Sequence, residues 1–306
     1  MKSLRVIFFG TNNFSVETLK SLYENQKLGI EIVCVCTKIA KPFGPKHILK
    51  DSEVFEYAIK NNLPVKTYKT LKKEEIQNEL RSFSADIGIV ASYGLILPQA
   101  VLDMFQYGCI NVHASILPKY RGSAPIQRAI MAGENKTGIT IMQMDAGIDT
   151  GGVLLKSEIN IDNKDFGEVF DELAKLGGSL LIEYLKNRDT IKTVKQNDEY
   201  ATYANKIENE DCIIDFKTQD SKQIYQKILA LSPLPKAFFY DKKGSKIFVL
   251  KSKVCDSDFD ITTADLKKDI FVLCSDNRYI QLLTLQKEGR KILNSHEFMN
   301  GNKIFL

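Results

Sequence analysis

The sequence lacks the cysteine spacing of a zinc site or a disulfide framework. It contains six cysteines, and no two of them form a Cys-x-x-Cys pair. Most lie inside apolar runs, where a reduced thiol packs as a small hydrophobic side chain. Because the chain also has only three histidines, we expect no metal centre and no disulfide framework.

Long apolar runs and a targeting segment are missing too. No stretch is long and apolar enough to span a bilayer. The chain passes almost directly from Met1 into a strand-like run, which leaves no room for a signal or transit peptide. These absences predict a cytoplasmic protein without a membrane partner.

Two common catalytic fingerprints are also absent. The first apolar run, Leu4–Phe9, ends at Gly10, but the following residues lack the glycines of a Gly-x-Gly-x-x-Gly dinucleotide site. Ser115 has no Gly-x-Ser-x-Gly elbow around it. The sequence therefore favours neither a nicotinamide cofactor nor a serine nucleophile.

The composition is that of a globular protein. The chain has 306 residues, of which 44% are hydrophobic and 26% are charged, and this length suggests two domains. The formal net charge is +4, with 25 basic against 24 acidic residues in 1–205 and 17 against 14 in 206–306. Charge alone does not indicate a nucleic-acid-binding protein.

Strand-like and helix-like segments alternate through the first part of the chain, which predicts an α/β fold with a doubly wound, Rossmann-like sheet. After residue 206 the strand-like runs are short and separated by turn residues, which predicts a smaller β-barrel of the OB type. We therefore expect a catalytic domain at 1–188, a linker at 189–205 and a β-barrel domain at 206–306.

Several helix ends carry recognisable signals. Pro98 suits the first turn of a helix that carries Val101, Leu102 and Phe105, and Ser123 is a natural N-cap ahead of Pro125. Asp165 and Glu168 have the spacing of a capping box at the start of a long helix. The apolar periodicity of the residues that follow predicts that this helix reaches Leu185.

The stretch 108–133, together with 144–151, is the best candidate for a catalytic site. Asn111 and His113 are two residues apart on a predicted strand, so their side chains point to the same face. The amide can donate to a developing oxyanion, and a neutral imidazole can move protons. A carboxylate such as Asp149, if close to the imidazole, would fix its tautomer. Equally, Asn111 and His113 could be satisfied polar residues, and Asp149 a turn residue.

The loop from Lys38 to Lys50 contains Pro, Gly and several positive charges, and it follows the second predicted strand. One interpretation is a solvated connector. The other is a flexible basic lip that binds a phosphate-bearing substrate.

The central stretch resembles the signature of the 10-formyltetrahydrofolate-dependent formyltransferases. The resemblance rests on Asn111–Arg128 and on Ile139–Gly151, and it extends to Gly10-Thr11, Tyr93–Pro98, Thr202–Ile207 and Gly301–Lys303. It therefore covers nearly the whole chain.

The resemblance implies a catalytic set at Asn111, His113 and Asp149, without a covalent enzyme intermediate. It implies transfer of a formyl group from 10-formyltetrahydrofolate, the formyl donor, to the α-amino group of methionyl-initiator tRNA. It also implies contacts with the tRNA from the C-terminal barrel. The folate would contact three loops, and their candidate residues are Tyr93, Leu95, Ser115, Ile116, Leu117, Pro118, Met144 and Asp145.

The basic loop departs from the family pattern. Family members carry Gly-Arg-Gly followed by lysines there, and this chain has Gly44-Pro45-Lys46-His47. Lys41, Lys46 and Lys50 keep the loop basic and are the candidate tRNA contacts.

Other functions share the same motif. A sibling enzyme could use a sugar nucleotide or a purine ribotide as acceptor, or hydrolyse formyltetrahydrofolate, with the same three residues. A binding protein without catalysis is disfavoured, because it has no need of a histidine paired with a carboxylate. No long exposed apolar stripe calls for a partner chain, so we expect a monomer.

Overall fold

The computed structural model describes residues 3–43, 48–266 and 268–301. The strands are β1 (Leu4–Gly10), β2 (Ile30–Lys38), β3 (Lys41–Phe43), β4 (Ile48–Lys50), β5 (Val65–Tyr68), β6 (Ile87–Ala91), β7 (Cys109–His113), β8 (Arg121–Gly122), β9 (Lys136–Gln143), β10 (Val153–Asn160), β11 (Tyr203–Ala204), β12 (Ala237–Tyr240), β13 (Lys246–Val254), β14 (Ile270–Leu273), β15 (Tyr279–Lys287) and β16 (Ile292–Asn294). The α-helices are α1 (Asn13–Glu24), α2 (Glu53–Lys60), α3 (Glu74–Ser82), α4 (Gln99–Leu102), α5 (Pro125–Met131), α6 (Phe166–Asn187), α7 (Ser221–Leu231) and α8 (Ser295–Gly301).

A seven-stranded sheet organises the first part of the chain, in the order β10-β9-β7-β6-β1-β2-β5. Strands β5, β2, β1, β6 and β7 are parallel, and β9 is antiparallel to β7. All five residues of β6 are buried. Since successive side chains point to opposite faces, both faces of the sheet are covered there. The predicted doubly wound α/β fold is confirmed.

The strand order reverses between β1 and β6. From β1 the chain builds outward to β2 and β5, then returns to place β6 on the other side of β1. The two loops that leave this point are tied together, because Thr11 Oγ1 donates to the Tyr93 carbonyl oxygen at 2.7 Å. In doubly wound sheets, ligands bind at the carboxyl ends of strands beside such a reversal.

The last part of the chain forms a small antiparallel sheet, as predicted. Its order is β12-β13-β15-β14, with β16 also paired to β15. Ile228 of α7, Phe238 of β12, Leu282 of β15 and Phe298 of α8 share its core. Within the described ranges no strand ladder joins β12 to β14 or β16, so closure into an OB-type barrel stays a prediction.

The chain forms two compact units, and neither is continuous in sequence. One comprises Met1–Gly122, Thr137–Ile159 and Phe170–Tyr203, and the other comprises Ser123–Lys136, Asn160–Val169 and Ala204–Leu306. Inside the first unit, Val194 of the predicted linker exchanges backbone hydrogen bonds with Val153, both at 2.8 Å. The predicted domain boundaries at 188 and 206 stay predictions.

Two predicted helix starts are wrong. Helix α4 has only four residues and Pro98 is its N-cap, and Phe105 packs edge to face against Phe9 from the turn that follows. Helix α5 begins at Pro125 with Ala124 as N-cap. Ser123 lies before the cap, and the backbone N–H groups of Ser123 and Ala124 both donate to the Ala204 carbonyl oxygen, at 2.9 and 3.1 Å.

The predicted capping box of α6 is confirmed. The Glu168 N–H donates to Asp165 Oδ1 at 3.0 Å, and the Asp165 N–H donates to Glu168 Oε2 at 2.9 Å. All six cysteines are unpaired and buried. None of the helices in the described ranges is long and apolar enough to cross a membrane.

Candidate active site

Three polar side chains meet at the carboxyl end of β7. Asn111 and His113 alternate with Val112 along the strand, so both point to the same face of the sheet. Asp149 belongs to the loop that follows β9, the antiparallel neighbour of β7. Strand β7 is also paired with β6, one of the two strands between which the strand order reverses.

Asp149 contacts both residues of β7. The Asn111 Nδ2 amide donates to Asp149 Oδ1 at 3.4 Å, and His113 Nδ1 lies 3.6 Å from Asp149 Oδ2. The side chains of His113 and Asp149 are only 6% and 16% exposed. In such a poorly solvated cluster, charges and dipoles interact more strongly than they do in water.

A backbone carbonyl group fixes the tautomer of His113. The imidazole Nε2 lies 3.0 Å from the Tyr120 carbonyl oxygen. A carbonyl oxygen only accepts hydrogen bonds, so Nε2 carries a proton in this contact, and Nδ1 is the ring nitrogen beside Asp149. The sequence did not indicate this contact with Tyr120, and the role of Asp149 in fixing the tautomer stays a prediction.

The conformation of Asp149 is unusual for a residue with a side chain. Its φ is 53°, in the left-handed region that Asp and Asn tolerate better than most residues. Its Oδ2 accepts a hydrogen bond from the Gly122 N–H at 2.8 Å. Its carbonyl oxygen accepts one from Gln196 Nε2 at 2.8 Å. Side chain and backbone are therefore anchored separately.

The loop after β7 carries four of the predicted folate residues. Ser115 is fully buried, and its hydroxyl donates to the Lys119 carbonyl oxygen at 2.6 Å. Leu117 is also fully buried; its carbonyl oxygen accepts from Lys156 Nζ, and it is joined to Pro118 by a cis peptide bond. Ile116 and Pro118 are partly exposed, so their side chains can face a ligand, whereas those of Ser115 and Leu117 hold the loop.

The loop after β6 carries Tyr93 and Leu95. The Tyr93 ring packs edge to face on Phe9, with ring centroids 5.4 Å apart, and it is 2% exposed. Its hydroxyl has no hydrogen-bond partner among the described residues, and burial raises its pKa well above the usual value. The phenol therefore belongs to the core, while Leu95 is half-buried and the adjacent Ile96 is 75% exposed.

Met144 and Asp145 begin the loop that carries Asp149. Met144 is half-buried and packs against the core of the first unit. Asp145 Oδ1 accepts hydrogen bonds from the Gly147 N–H at 3.0 Å and from Thr150 Oγ1 at 2.6 Å. Asp145 thus shapes the loop in which Asp149 lies.

Two of the candidate tRNA contacts, Lys41 and Lys50, lie on the hairpin formed by β3 and β4. Lys41 and Lys50 are exposed, and Lys50 Nζ forms an ion pair with Glu53 Oε1 at 3.2 Å. Lys46, with the rest of the atypical Gly44-Pro45-Lys46-His47 stretch, lies outside the described residues.

Metal ligands are not assembled in the part of the chain that the structure describes: no group of three or more His, Cys, Asp or Glu side chains there could hold a metal ion. The thiol nearest to the site in sequence, Cys109 at the start of β7, is buried, and burial raises its pKa to about 12. It is therefore protonated, and poorly nucleophilic, near neutral pH.

Sequence reasoning missed the residues that support the site. Gln196 lies in a polar segment without periodicity, so nothing in the pattern distinguishes it from its exposed neighbours. Arg121 and Tyr120 lie inside the central motif, but their contacts depend on the path of the chain. Lys38, the last residue of β2, lies beside Gly94. Its pKa is lowered, mainly by burial and to a smaller extent by the positive charge of Lys41.

Comparisons with known proteins show which family the chain resembles over its whole length. A family model described as "Formyl transferase" matches residues 3–185, and another described as "Formyl transferase, C-terminal domain" matches residues 206–303. A methionyl-tRNA formyltransferase from Francisella philomiragia is 40% identical over 309 residues, covering 99% of this chain and 97% of its own.

Two solved structures share the fold. An N-formyltransferase from Helicobacter canadensis, in complex with folinic acid and dTDP-3-aminofucose, has a TM-score of 0.66 at 20% identity, covering 93% of this chain and 99% of its own. Methionyl-tRNA formyltransferase from Clostridium thermocellum has a TM-score of 0.59 at 20% identity, covering 83% and 95%. Since the family models cover both parts of the sequence and include the strand that presents Asn111 and His113, the chain belongs to the formyl transferase family.

Proposed function

We propose that this protein transfers the formyl group of 10-formyltetrahydrofolate to the α-amino group of the methionine carried by initiator tRNA. The convergence of Asn111, His113 and Asp149 is the observation that carries the proposal. The match to a methionyl-tRNA formyltransferase over 99% of the chain supports the choice of acceptor.

The reaction is an acyl transfer between two nitrogen atoms. The amine lone pair attacks the formyl carbon, and the electrons of the carbonyl bond move to oxygen. When the carbonyl bond re-forms, the bond from carbon to the folate nitrogen breaks and that nitrogen takes up a proton. In balance, one proton leaves the amine and one is delivered to the folate.

Asn111 stabilises the negative charge that develops on the formyl oxygen. Its Nδ2 amide already points into the cluster toward Asp149 Oδ1, at 3.4 Å. A second N–H of the same amide remains for the oxyanion, because a primary amide has two donors. Removing such a donor lowers kcat by about 10² to 10³.

His113 and Asp149 handle the proton. In the neutral imidazole, Nδ1 is the free base, since Nε2 donates to the Tyr120 carbonyl oxygen. A proton taken up at Nδ1 lies between the ring and Asp149 Oδ2, which is 3.6 Å away, and the carboxylate stabilises the resulting imidazolium. His113 can then return the proton to the leaving nitrogen.

The residues around the cluster fit a folate that enters as co-substrate. Ile96 lies in the loop after β6, and Ile148 lies beside Asp149 in the loop after β9. These side chains are 75% and 72% exposed, and they offer apolar contact to a flat ring. Leu95, Ile116, Pro118 and Met144 add partly exposed apolar surface. Tyr93 would contribute through its backbone, since its ring is buried.

The tRNA is bound by the basic β3–β4 hairpin, with Lys41, Lys46 and Lys50, and by the C-terminal unit. Phosphate contacts supply most of the affinity for such a partner. The protein acts as a monomer in the cytoplasm, and the reaction needs no metal ion.

The test is a comparison of acceptors. Formyl transfer from 10-formyltetrahydrofolate is measured with initiator methionyl-tRNA, elongator methionyl-tRNA and an amino-sugar nucleotide at equal concentrations. We expect rapid transfer to the initiator tRNA. Transfer to the sugar nucleotide alone, or hydrolysis of the donor without transfer, contradicts the proposal.

A further inference from the structure

A buried glutamine holds the backbone on both sides of the candidate catalytic carboxylate. Gln196 is 6% exposed, whereas the residues beside it, Lys195 and Asn197, are exposed. Its Nε2 donates to the carbonyl oxygens of Asp149 at 2.8 Å and of Gly151 at 2.7 Å. One amide group therefore uses both of its N–H donors on the loop that carries Asp149.

The orientation of this amide is set by a buried arginine. Gln196 Oε1 accepts hydrogen bonds from Arg121 Nε at 3.1 Å and Nη2 at 2.9 Å. A guanidinium has no acceptor, so the oxygen of the amide must face Arg121 and its NH₂ group must face the two carbonyl oxygens. Arg121 is 2% exposed and is held by Asp198 Oδ1 at 2.7 Å.

The loop needs such an anchor. Residues 145–148 are all exposed, and Asp149 has a φ of 53°, a conformation that costs free energy for a residue other than glycine. A loop with few buried contacts opens easily. Pinning the carbonyl groups of Asp149 and Gly151 restricts the backbone from which the carboxylate reaches Asn111 and His113.

We propose that Gln196 is a positioning residue, which fixes the loop so that the Asp149 carboxylate stays beside Asn111 and His113. Arg121 acts behind it, as the group that orients the amide. The claim that this anchoring supports catalysis rests on the proposed function. The anchoring itself does not, and it can be measured separately.

The most informative variant is Gln196→Glu. It keeps the shape of the side chain and keeps an oxygen for Arg121, but it replaces the two N–H donors by a carboxylate oxygen that faces two carbonyl oxygens. Asn197→Asp is the matched control, because it adds the same charge at the next residue, where the side chain is exposed and still offers an oxygen to the Glu199 N–H.

With initiator methionyl-tRNA and 10-formyltetrahydrofolate, we expect Gln196→Glu to lower kcat by about 100-fold, as for a catalytic group displaced by about 1 Å. Both KM values should change by less than about threefold, since Gln196 contacts no substrate. In an Asp149→Asn background the same substitution should cost less than about twofold, because a residue that acts through Asp149 has nothing left to position.

Amide hydrogen exchange of the peptide that covers 144–152 reports the anchoring without any activity. We expect at least about tenfold faster exchange in Gln196→Glu and no change in Asn197→Asp. If exchange is unchanged, or if kcat stays normal while the wild-type protein is active, the positioning role is wrong and the proposed function stands. If the wild-type protein transfers no formyl group to tRNA, the proposed function is wrong, and exchange alone decides whether Gln196 holds the loop.

Discussion

At the scale of single residues, the chemistry follows from the hydrogen-bond partners of the two imidazole nitrogens of His113. The Tyr120 carbonyl oxygen takes the Nε2 proton, and this leaves Nδ1 as the only basic nitrogen of the neutral ring. The nearest carboxylate oxygen, Asp149 Oδ2, is 3.6 Å away. That separation is longer than a hydrogen bond, so the contact strengthens when Nδ1 becomes protonated.

Asp149→Asn is therefore expected to be costly although it preserves shape. Asp149 accepts through both oxygens, from Asn111 Nδ2 and from the Gly122 N–H. An amide has one oxygen, so its NH₂ group must meet one of these donors, and the negative charge beside His113 is lost. We expect kcat to fall by about 10³ to 10⁴ with the fold retained, measured by single-turnover formyl transfer and circular dichroism. Near-normal turnover would reduce Asp149 to a turn residue.

The sequence allowed Asn111, His113 and Asp149 to be singled out, because alternation on a strand and a Gly-rich loop can be recognised in a single chain. The partners of these residues could not be predicted. Gln196 is separated from Asp149 by 47 residues in the chain, and the contact exists only because the segment around Val194 pairs with Val153. Likewise, the pattern around Tyr93 does not reveal that its ring packs into the core.

At the scale of elements, the loop between β9 and β10 depends on a glycine. At Gly151 a Cβ atom would collide with the backbone carbonyl oxygen of Gln143, which belongs to β9. At Gly152 it would collide with the side-chain methyl group of the exposed Thr193 and would lie at an ordinary contact distance, 3.5 Å, from the Val194 carbonyl oxygen. A backbone atom in a paired strand cannot move aside as a side chain can. Gly151 thus lets the loop stay close to the sheet.

Gly151→Ala should consequently displace the loop, while Gly152→Ala serves as its neighbour control. We expect the first variant to lose at least about tenfold in kcat, since small displacements of a catalytic group are costly, and the second to remain within about twofold of the wild type. Steady-state formyl transfer, with circular dichroism to monitor folding, provides the measurement. Equal losses in both variants would show that the close contact with Gln143 is unimportant.

A second element is held by an ion pair whose strength depends on pH. Arg128 of α5 donates to both carboxylate oxygens of Asp211, at 3.0 and 2.7 Å. This hydrogen bonding holds the pKa of Asp211 below its ordinary value of 3.8. Because the folded-state pKa is depressed, the stabilisation is complete above the unfolded pKa and is lost as the pH falls through the folded pKa.

Asp211→Asn should accordingly destabilise the protein near neutral pH by about 1 kcal/mol, a modest value because the pair is partly exposed. The difference from the wild type should shrink as the pH falls below about 4. Thermal unfolding of both proteins at neutral pH and at a series of acidic pH values checks this. A difference that stays constant into the acid range would exclude ionisation of Asp211 as its cause.

Elements were predictable where local signals and packing agree. The apolar runs of β1 and β6 and the capping box of α6 appear in the structure as the sequence indicated. Helix α4 is shorter than its apolar spacing suggested, because Phe105 packs on Phe9 from a turn. The cap of helix α5 is Ala124, one residue after the predicted Ser123; both residues donate to the Ala204 carbonyl oxygen, and no local pattern contains that contact.

At the scale of the whole molecule, each of the two compact units is assembled from three separate stretches of the sequence. Ser123–Lys136 and Asn160–Val169 belong to the unit that also contains the C-terminal sheet, although they come from the first part of the chain. Domains predicted from the order of elements along the sequence are continuous stretches, so this discontinuous division could not be predicted. The α/β class and the small antiparallel sheet were nevertheless predicted, since each follows from the spacing of apolar runs.

The proposed affinity for tRNA depends on where the positive charges of the molecule lie. The net charge is only +4, so binding has to come from a local arrangement of lysines such as Lys41 and Lys50, both exposed. We expect the Kd for tRNA to rise at least about tenfold between about 50 and about 200 mM salt, because binding releases counterions from the phosphates and this release becomes less favourable as the salt concentration rises. The KM for the folate, a much smaller anion, should change far less. A flat salt dependence for tRNA would contradict this mode of binding.

The central claim is that the cluster at the end of β7 performs formyl transfer to a tRNA-bound amine, and His113→Ala tests it most directly. Single-turnover transfer to initiator methionyl-tRNA and binding of the same tRNA are measured on one preparation of wild type and variant. We expect the rate to fall by at least about 10² and tRNA binding to stay within about twofold. Unchanged transfer in the variant, or a wild type that binds tRNA without transferring the formyl group, would contradict the account.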